Sequence, residues 1–406
     1  MSKYVLVSGG ELFNKGAQSM TFVAVDEIKK RFPGAKVVLL SSKDYERSDA
    51  EKRIYDFEIM PISTGIIFQL LGGGYKAILD MKSNKQKKKK DEKFIEKYSE
   101  ILYNTEAIID VSGYALSSQF STNRNIGYLS RIMLAKKFNI KMYLMPQSFG
   151  PFKYKGTKKY FLNYMIKKYM QYPEMIFVRE DEGYKFLKED FKLKNIKRTY
   201  DLVLMNKGVN YSNVYINQPQ TLNFNNIKGV GIVPNMKNFK HGKTEEVMSL
   251  YSTIINKLRD AGKVVYLIRH SHEDIEACKM IKENFKDNDG VVILADDMSC
   301  LDFDKLVSKL DFIIGSRFHS IIHAYKNQVP CIALGWATKY HELLKTFNQE
   351  KYIFDVRNGL DQSQVHLAVE RMLRDYEKER VVIRDVLNEI QTVNIFDDIK
   401  MISNKA

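Results

Sequence analysis

The stretch FIIGSRFHSIIHAYKNQVPCIAL, residues 312–334, contains the unit from which the fold is built. Two short apolar runs, Phe312–Ile314 and Cys331–Leu334, enclose an amphipathic stretch at Ser320–Lys326. The runs show little alternation of apolar and polar residues, which is typical of strands buried on both faces of a parallel sheet. A strand, a helix and a second strand in this order predict a parallel sheet that is covered by helices.

The same alternation extends along the whole chain and forms two series. The predicted strands of the first series are Tyr4–Val7, Val37–Leu40, Ala107–Val111, Met142–Met145 and Ile176–Val178. Those of the second series are Val230–Val233, Val264–Ile268, Val291–Leu294, Phe312–Ile314 and Cys331–Leu334. Between the series, residues 206–226 are rich in Asn, Gln, Tyr and Ser without a regular period, which indicates a connection between domains.

We therefore predict an α/β protein with two Rossmann-like wound domains that face a cleft. The predicted domains are residues 1–215 and 216–361, and residues 362–406 are predicted to form C-terminal helices that return to brace the N-terminal domain. A chain of 406 residues is long enough for two domains. Because 44% of the residues are hydrophobic and 28% are charged, a mainly disordered protein is excluded.

Other sequence features narrow the class of protein. The three cysteines are too few and too scattered for a disulfide framework or a zinc site, so we expect no metal. The apolar run at the N-terminus is shorter than the roughly 7–15 residues of a secretory signal. No window reaches the roughly 18 uncharged apolar residues of a membrane span. We expect a cytoplasmic protein that at most lies peripherally on the inner face of the cell membrane.

The formal net charge of +15 is concentrated in two acid-free stretches, residues 82–90 and 153–168. Each contributes six lysines, and removing these twelve leaves 15 − 12 = +3. No helix-turn-helix, zinc-finger or RNA-recognition signature accompanies them, so we expect no nucleic-acid partner. In the second stretch tyrosines alternate with lysines, a composition expected beside anionic lipid. A solvated helix whose aromatic residues face the core fits the same composition, and both interpretations stay open.

The loops that follow the predicted strands are where we expect chemistry, since ligands of open α/β sheets bind beyond the carboxyl ends of strands. Arg179 follows the strand Ile176–Val178, and a guanidinium clamps a phosphate or carboxylate with two hydrogen bonds. The alternative is a salt bridge with Glu180 or Asp181. Asp201 is a weaker candidate for the same cleft.

The most informative loop follows the strand Phe312–Ile314. Arg317 and His319 emerge there two residues apart at the start of a helix, and we expect both to open onto the groove between the domains. Lys339 follows the next strand and brings a further cation to this edge. His323 lies one turn after His319, but no acidic ligand accompanies the two histidines. We therefore interpret His319 as catalytic and His323 as packed.

Three other loops carry polar groups with less specific patterns. Gln147 and Ser148 suit sugar hydroxyls, or else belong to a turn made rigid by prolines. The glycine-containing loop of residues 8–16 opens a helix and either favours an anion or forms a tight turn. His270 and His272 follow the strand Val264–Ile268 and either bind a substrate or lie on the surface.

Taken together, these residues resemble the polysaccharide pyruvyl transferase family over roughly residues 3–345. The resemblance rests on four short segments and on their order after strands. These segments are Asn14-Lys15-Gly16, Gln147-Ser148-Phe149-Gly150-Pro151-Phe152, Val178-Arg179-Glu180-Asp181 and Gly315-Ser316-Arg317-Phe318-His319. The closing segment Val329-Pro330…Lys339 fits as well. It implies a fold similar to that of two-domain GT-B glycosyltransferases. It also implies transfer of the enolpyruvyl unit of phosphoenolpyruvate to two hydroxyls of one sugar, forming a cyclic ketal.

The resemblance implies that Arg179 and Arg317 bind the phosphate and carboxylate of phosphoenolpyruvate, with His319 as the general acid. The predicted donor site is completed by Lys339 and Ser316. The acceptor of the reaction, a saccharide that is often carried on a lipid in this family, is predicted to bind in the N-terminal half of the chain. The predicted acceptor-binding residues are Asn14, Gly16, Ser112, Gln147 and Ser148.

The residues themselves agree with this chemistry. Phosphoenolpyruvate is a small trianion without a nucleobase, so a cluster of Arg and Lys suffices to bind it and no cofactor is needed. His319, with an ordinary pKa near 6.5, is expected to protonate the methylene carbon. The alternative is a GT-B glycosyltransferase that uses a nucleotide sugar. A carbohydrate- or membrane-binding scaffold without activity is a third reading, but it leaves Arg317 and His319 unexplained.

Overall fold

The computed structural model describes residues 3–72, 94–287, 290–294, 296–335, 337–357 and 361–400. The predicted lysine stretch at residues 82–90 and Trp336, beside the predicted site, lie outside these described residues. Among the described residues, every helix is too short or too polar to span a lipid bilayer.

The first half of the chain forms an eight-stranded parallel sheet. Its strands are β1 Tyr4–Ser8, β2 Lys36–Ser41, β3 Glu58–Pro61, β4 Thr105–Asp110, β5 Tyr114–Leu116, β6 Lys141–Phe149, β7 Met175–Val178 and β8 Ile196–Arg198. The strand order is β3-β2-β1-β4-β6-β7-β8, and β5 pairs separately with β6. Every pairing is parallel, as the runs of apolar residues predict.

The second half forms a six-stranded parallel sheet. Its strands are β9 Val230–Val233, β10 Val265–Ile268, β11 Val291–Leu294, β12 Phe312–Gly315, β13 Cys331–Gly335 and β14 Ile353–Asp355. The order is β11-β10-β9-β12-β13-β14. The central strands β9, β12 and β13 are completely buried, because helices cover both faces of the sheet. The prediction of an α/β protein with two wound sheets is therefore confirmed.

Helices connect the strands and cover both sheets. In the first half they are α1 Lys15–Arg31, α2 Asp49–Arg53, α3 Thr64–Leu70, α4 Ile95–Tyr103, α5 Thr122–Lys137, α6 Thr157–Tyr169, α7 Asp181–Lys185 and α8 Leu202–Met205. In the second half they are α9 Met236–His241, α10 Thr244–Asp260, α11 Asp274–Glu283, α12 Cys300–Val307, α13 Phe318–Lys326, α14 Thr338–Thr346 and α15 Gln362–Ile390.

The ten predicted strands are all present, and the four that the sequence did not predict lie at the sides of the sheets. Three of them, β3, β8 and β14, are edge strands, and β5 is a short addition to β6. These three strands are three or four residues long and each contains a charged residue, so they lack the continuous apolar run by which the fourth edge strand, β11, was predicted. The strand predicted at Met142–Met145 is also longer than expected. It continues through Pro146 to Phe149, with a shift of register against β7 that accommodates the proline.

The two halves are joined by packing as well as by the chain. One apolar cluster is continuous from the first sheet to the second, and the short helix α8 lies within it. Helix α15 packs against α10 and α13 and also reaches α8. The segment that follows α15 then contacts the first sheet, where the Lys400 carbonyl accepts hydrogen bonds from Lys141 and Tyr143.

Candidate active site between the two sheets

The site lies where the strand order of each sheet reverses, between β1 and β4 in one sheet and between β9 and β12 in the other. Ligands of wound α/β sheets bind in such crevices, beyond the carboxyl ends of the strands. The loops that leave these strands touch one another across the two halves. Lys15 Nζ donates a hydrogen bond to the His270 carbonyl at 3.1 Å. A Cβ on Gly16 would lie 2.2 Å from Cγ of His319, so only glycine fits at this contact.

His319 is the central group of the site, and its surroundings differ from our expectation. Its side chain is 16% exposed, and its Nε2 atom is buried without a hydrogen-bond partner among the described residues. The nearest carboxylate oxygen, Oδ2 of Asp201, lies 3.9 Å from Nε2. Burial, helped by the nearby Arg179 guanidinium, lowers the pKa of His319 to about 3. The expectation of an ordinary pKa near 6.5 is therefore wrong for the protein without its substrate.

Arg179 has its guanidinium fully engaged by protein groups. Nη1 donates to Asp201 at 2.6 Å, and Nη2 donates to Ser148 Oγ at 2.8 Å and to the Gly113 carbonyl at 3.0 Å. Nε donates to Glu180 at 3.1 Å. Of the salt bridges considered from the sequence, the one with Glu180 is present. The carboxylate that completes the pairing is Asp201 and not Asp181.

Arg317 does not open freely onto the groove, as the sequence led us to expect. Its side chain is 15% exposed, and Nε donates to Oδ2 of Asp274 at 2.9 Å. Nη2 donates to Glu273 at 2.6 Å and to the second oxygen of Asp274. Asp274 is completely buried, so the guanidinium lies between a buried acid and an exposed one. These hydrogen bonds raise the pKa of Arg317 despite its burial.

Lys339 is the cation of the site for which the described residues provide no carboxylate within ion-pair distance. Its ammonium group lies 5.0 Å from the ring centre of Phe318 and 5.1 Å from that of Tyr114. Burial and the neighbouring Arg179 lower the pKa of Lys339 to about 7. It lines a small pocket with Arg179, Asp201 and other residues of both halves. An ammonium held among aromatic rings and cations is best stabilised by a bound anion.

Three further cations lie near this pocket and were missed by the sequence reasoning. Lys237 follows β9, and its pKa is lowered by burial and by the nearby Arg317 and Arg124. Arg124 lies on α5 with its guanidinium 3.8 Å from the ring centre of Phe120, and Arg131 lies seven residues further on the same helix. Lys237 could have been found by its position soon after a strand, at the start of the helix α9. The two arginines carry no local signal, because only the packing of α5 brings them to this edge.

The residues predicted to bind the acceptor are largely committed to the protein itself. Asn14 caps α1 by accepting hydrogen bonds from the amides of Gly16 and Ala17. The hydroxyl of Ser112 accepts from Arg131 at 3.2 Å.

Two of them lie within a strand and not in a loop. Gln147 is completely buried in β6, where it accepts from Tyr128 and donates to Asp110. Ser148 donates to Glu180 at 2.8 Å and accepts from Arg179. The expectation of a loop at these two positions is wrong, since β6 continues past Pro146. Acceptor binding by these residues stays a prediction.

The other polar candidates are also placed by the structure. Ser316 is completely buried, and its hydroxyl is 3.1 Å from that of Tyr251. His323 is buried between Asp304 and Ser19, which agrees with a packed histidine. His270 is buried and its pKa is well below the ordinary value because of burial, whereas His272 is exposed. No cluster of three metal-ligating side chains occurs among the residues that the structure describes.

This arrangement can hold a small anion and deliver a proton to it. Cations from both halves converge around Lys339, and an imidazole lies beside them against the start of α1. An anion bound next to His319 would favour its protonated form and raise its pKa. The geometry therefore suits acid-catalysed chemistry on an anionic substrate.

Comparison with known proteins agrees with the fold. The UDP-GlcNAc 2-epimerase from Methanocaldococcus jannaschii is similar with a TM-score of 0.56 and 11% identity, over 96% of this chain and 100% of that one. The UDP-GlcNAc 2-epimerase from Neisseria meningitidis, solved bound to UDP-GlcNAc, is similar with a TM-score of 0.54 and 10% identity, over 97% of this chain and 100% of that one. The glycotransferase of kitacinnamycin is similar with a TM-score of 0.52 and 10% identity, over 96% of this chain and 95% of that one. The fold is GT-B, as predicted. No curated protein matches the chain by sequence.

The sequence model of the polysaccharide pyruvyl transferase family matches residues 14–338. This range contains the end of the first loop, the strands from β2 to β13, and the arginines and histidine of the site. The chain therefore belongs to the polysaccharide pyruvyl transferase family, and the resemblance seen in its sequence is confirmed.

Proposed function

We propose that this member of the polysaccharide pyruvyl transferase family uses phosphoenolpyruvate as its donor. The enolpyruvyl group is transferred to two hydroxyls of one sugar, in a surface polysaccharide or its lipid-linked precursor. The product is a cyclic pyruvate ketal, and inorganic phosphate is released. The donor supplies both the transferred carbon atoms and the leaving group, so the scheme needs no further cofactor.

The observation that carries this proposal is the ammonium of Lys339, for which the described residues provide no carboxylate within ion-pair distance. Desolvation lowers the pKa of Lys339 most, followed by the nearby guanidinium of Arg179, and Lys237 and Arg317 make smaller contributions. An ammonium that is desolvated and repelled by neighbouring cations is stabilised when a multiply charged anion binds beside it. Phosphoenolpyruvate carries a phosphate and a carboxylate a few bonds apart, which matches cations that converge from several directions.

The proposed reaction proceeds through two additions at C2 of the donor. A proton added to the methylene carbon C3 leaves positive charge at C2, and the oxygen of the first hydroxyl bonds there as its own proton leaves. The bond from C2 to the phosphate oxygen then breaks, and the second hydroxyl closes the ketal. One hydroxyl proton replaces the proton given to C3, and the other departs with the phosphate. Cations beside the phosphate stabilise the leaving group.

His319 is the proposed source of the proton at C3. Its low pKa means that the imidazole is neutral at neutral pH before the donor binds. A bound trianion raises the pKa and thereby charges the acid only when the donor is in place. His319 is held at the domain contact by Gly16, where a side chain would displace it.

Asp201 is the proposed positioning residue for this proton. One of its oxygens, Oδ2, accepts from Arg179 at 2.6 Å and lies 3.9 Å from His319 Nε2. If the donor phosphate draws the guanidinium of Arg179 away, this oxygen becomes available to the protonated imidazole. Donor binding and charging of the acid are thus coupled through one carboxylate.

The decisive experiment is phosphate release from phosphoenolpyruvate with a panel of saccharide acceptors, free and lipid-linked. We expect release that depends on acceptor, together with a product heavier by one pyruvate ketal in mass spectrometry. The variant Arg317→Gln serves as the negative control for donor binding. Absence of both phosphate release and donor binding would contradict the proposal.

The alternative donor is a nucleotide sugar. Two proteins of similar fold are named UDP-GlcNAc 2-epimerases, and this is the reason to test it. Calorimetric titration of the protein with phosphoenolpyruvate and, separately, with UDP-sugars distinguishes the two. We expect heat of binding with phosphoenolpyruvate alone. Binding of a UDP-sugar but not of phosphoenolpyruvate would favour a glycosyltransferase.

A further inference from the structure

The helix α6 and the loop before it carry a surface that the proposed reaction does not use. We call it the lysine–tyrosine face, and its members all project into solvent: Lys153, Lys155, Lys158, Lys159, Tyr160, Tyr164, Lys167 and Lys168. The opposite side of α6 is buried through Leu162, Met165, Ile166 and Tyr169. The interpretation in which all the aromatic residues of this stretch face the core is therefore wrong.

The two tyrosines of this face are unusually exposed for their size. Tyr160 is 77% exposed and Tyr164, one turn later, is 59% exposed. Lys167 and Lys168 continue the same side of the helix, seven and eight residues after Tyr160. An exposed helix side that presents aromatic rings flanked by lysines is typical of a helix lying at a membrane interface, where the rings reach the level of the headgroups.

The chain segment that carries this face contains no acidic residue. No Asp or Glu occurs anywhere from Val111 to Pro173. In the part of the chain that the structure describes, no carboxylate forms an ion pair with Lys153, Lys155 or Lys158, nor with the next two lysines of the helix, Lys159 and Lys167. By contrast, several lysines elsewhere on the surface form ion pairs, as Lys378 does with Asp375 and Lys97 with Glu58. The face thus complements a surface with dense negative charge.

The loop that carries the first lysines of the face, residues 150–156, leaves the first sheet at the same edge as the candidate active site. Tyr114, whose ring contacts the Lys339 ammonium, donates a hydrogen bond to the Gly150 carbonyl at 2.8 Å. Three residues further along the chain, the Lys153 amide donates to Ser118 at 3.1 Å. A short, continuous stretch of backbone therefore connects the pocket to the first lysine of the face.

From these observations we infer that the lysine–tyrosine face binds an anionic lipid bilayer and orients the site edge of the molecule towards it. Lysines supply attraction to acidic headgroups, and the two tyrosines enter the headgroup layer. Membrane binding does not depend on the proposed reaction. A lipid-carried acceptor would reach the pocket from this side, and that one consequence rests on the proposed function.

The test uses co-sedimentation of the full chain with vesicles of phosphatidylcholine, with and without phosphatidylglycerol. We expect binding only to the vesicles that contain phosphatidylglycerol, and weaker binding as the salt concentration rises. The face variant is Lys158→Glu with Lys159→Glu and Lys167→Glu. Each lysine near an anionic membrane changes the partition coefficient between membrane and water about five-fold, so the triple change is expected to weaken vesicle binding by at least ~100-fold.

A control variant with the same change in net charge separates the face from overall charge. It carries Lys228→Glu, Lys279→Glu and Lys309→Glu, all exposed and on the second half. We expect the control to bind vesicles within about three-fold of the unaltered protein, as charges beyond a Debye length are screened. A second face variant, Tyr160→Ser with Tyr164→Ser, keeps every charge and is expected to bind measurably more weakly.

Two results would overturn the inference. The first is equal binding of the face variant and the control variant, with both folded by circular dichroism. The second is binding of the unaltered protein to duplex RNA or DNA with no binding to anionic vesicles. Activity of both variants with a water-soluble acceptor is expected to stay unchanged, so failure of membrane binding and failure of the proposed reaction are read out separately.

Discussion

The carboxyl edges of the two sheets carry similar residue types, but they differ in how far their charged side chains are paired with other protein groups. At the edge of the first sheet, the polar groups satisfy one another: Arg179 is paired with Asp201 and Glu180, and Gln147 lies between Tyr128 and Asp110. At the edge of the second sheet, Arg317 is paired with Asp274 and Glu273, whereas Lys339 has no carboxylate within ion-pair distance among the described residues.

From this difference we propose that Lys339, at the second edge, contacts a bound anion. Polar groups that are fully paired stabilise one structure, whereas a desolvated ammonium without a carboxylate within ion-pair distance, as Lys339 is among the described residues, is better stabilised when an anion binds. The predictions below test this proposed contact from the largest expected effect to the smallest.

The largest effect is expected from His319→Ala. General acid catalysis contributes about 10²–10⁴-fold, so turnover with phosphoenolpyruvate should fall by that factor. Donor affinity, measured by calorimetry, should change little because the cations remain. Turnover of the variant at the unaltered rate would remove His319 from the mechanism.

The variant Lys339→Met tests the proposed contact between this ammonium and the donor. Loss of one charged contact to the donor is worth about 1.5–3 kcal/mol, so we expect donor affinity to fall by roughly 10- to 100-fold. Lys345→Met on the same helix is the matched control, since Lys345 is exposed. Equal donor affinity in the two variants would show that the second edge is not the donor site.

The pH dependence of donor binding sharpens the same point. The pKa of Lys339 is lowered to about 7, so its ammonium loses its proton in the free protein as the pH rises through that value. The donor binds the charged form, and its affinity should fall up to about ten-fold per pH unit above pH 7. Calorimetry in buffers of different ionisation enthalpy should detect proton uptake on binding at pH 8. In Lys339→Met the uptake should be smaller, and uptake that is unaltered would assign it to another group.

Asp201→Asn tests the carboxylate that lies between the two edges. Without a negative charge near the imidazole, the pKa of His319 in the donor complex should drop by about one unit. We expect kcat at neutral pH to fall about ten-fold, with the acid-dependent limb of the pH–rate profile displaced to lower pH. Because the loss of the Arg179 ion pair also costs stability, the profile is compared at a temperature well below the Tm of the variant. A fall in kcat without displacement of the profile would indicate a merely structural role.

The smallest effect on catalysis is expected from Gln147→Met at the first edge. Two buried partners, Tyr128 and Asp110, would lose a hydrogen bond, which costs about 1–3 kcal/mol of the free energy of unfolding. Activity per folded molecule should stay within about three-fold. A much larger loss of acceptor affinity would instead return Gln147 to the acceptor site.

Much of the fold was predictable because its signals are local. Central strands such as β9 and β12 are continuous apolar runs, and the residues that follow them, Arg317 and His319 included, were found by position alone. The edge strands β3, β8 and β14 were missed because each is short and interrupted by a charged residue, whereas the edge strand β11 is a continuous apolar run and was predicted. Gln147 and Ser148 were wrongly predicted to lie in a loop. The strand β6 continues through Pro146, whereas a proline in a sequence usually indicates the end of a central strand.

The amino-acid sequence by itself determined the two wound α/β units, the family and the cations and imidazole that leave the strands. The tertiary structure alone decided which acid each arginine meets: Asp201 for Arg179 and Asp274 for Arg317. It also decided that burial lowers the pKa of both His319 and Lys339. The physical reason is that ion pairing and desolvation depend on which loops share an edge after the crossovers are made, and no stretch of sequence carries that information locally.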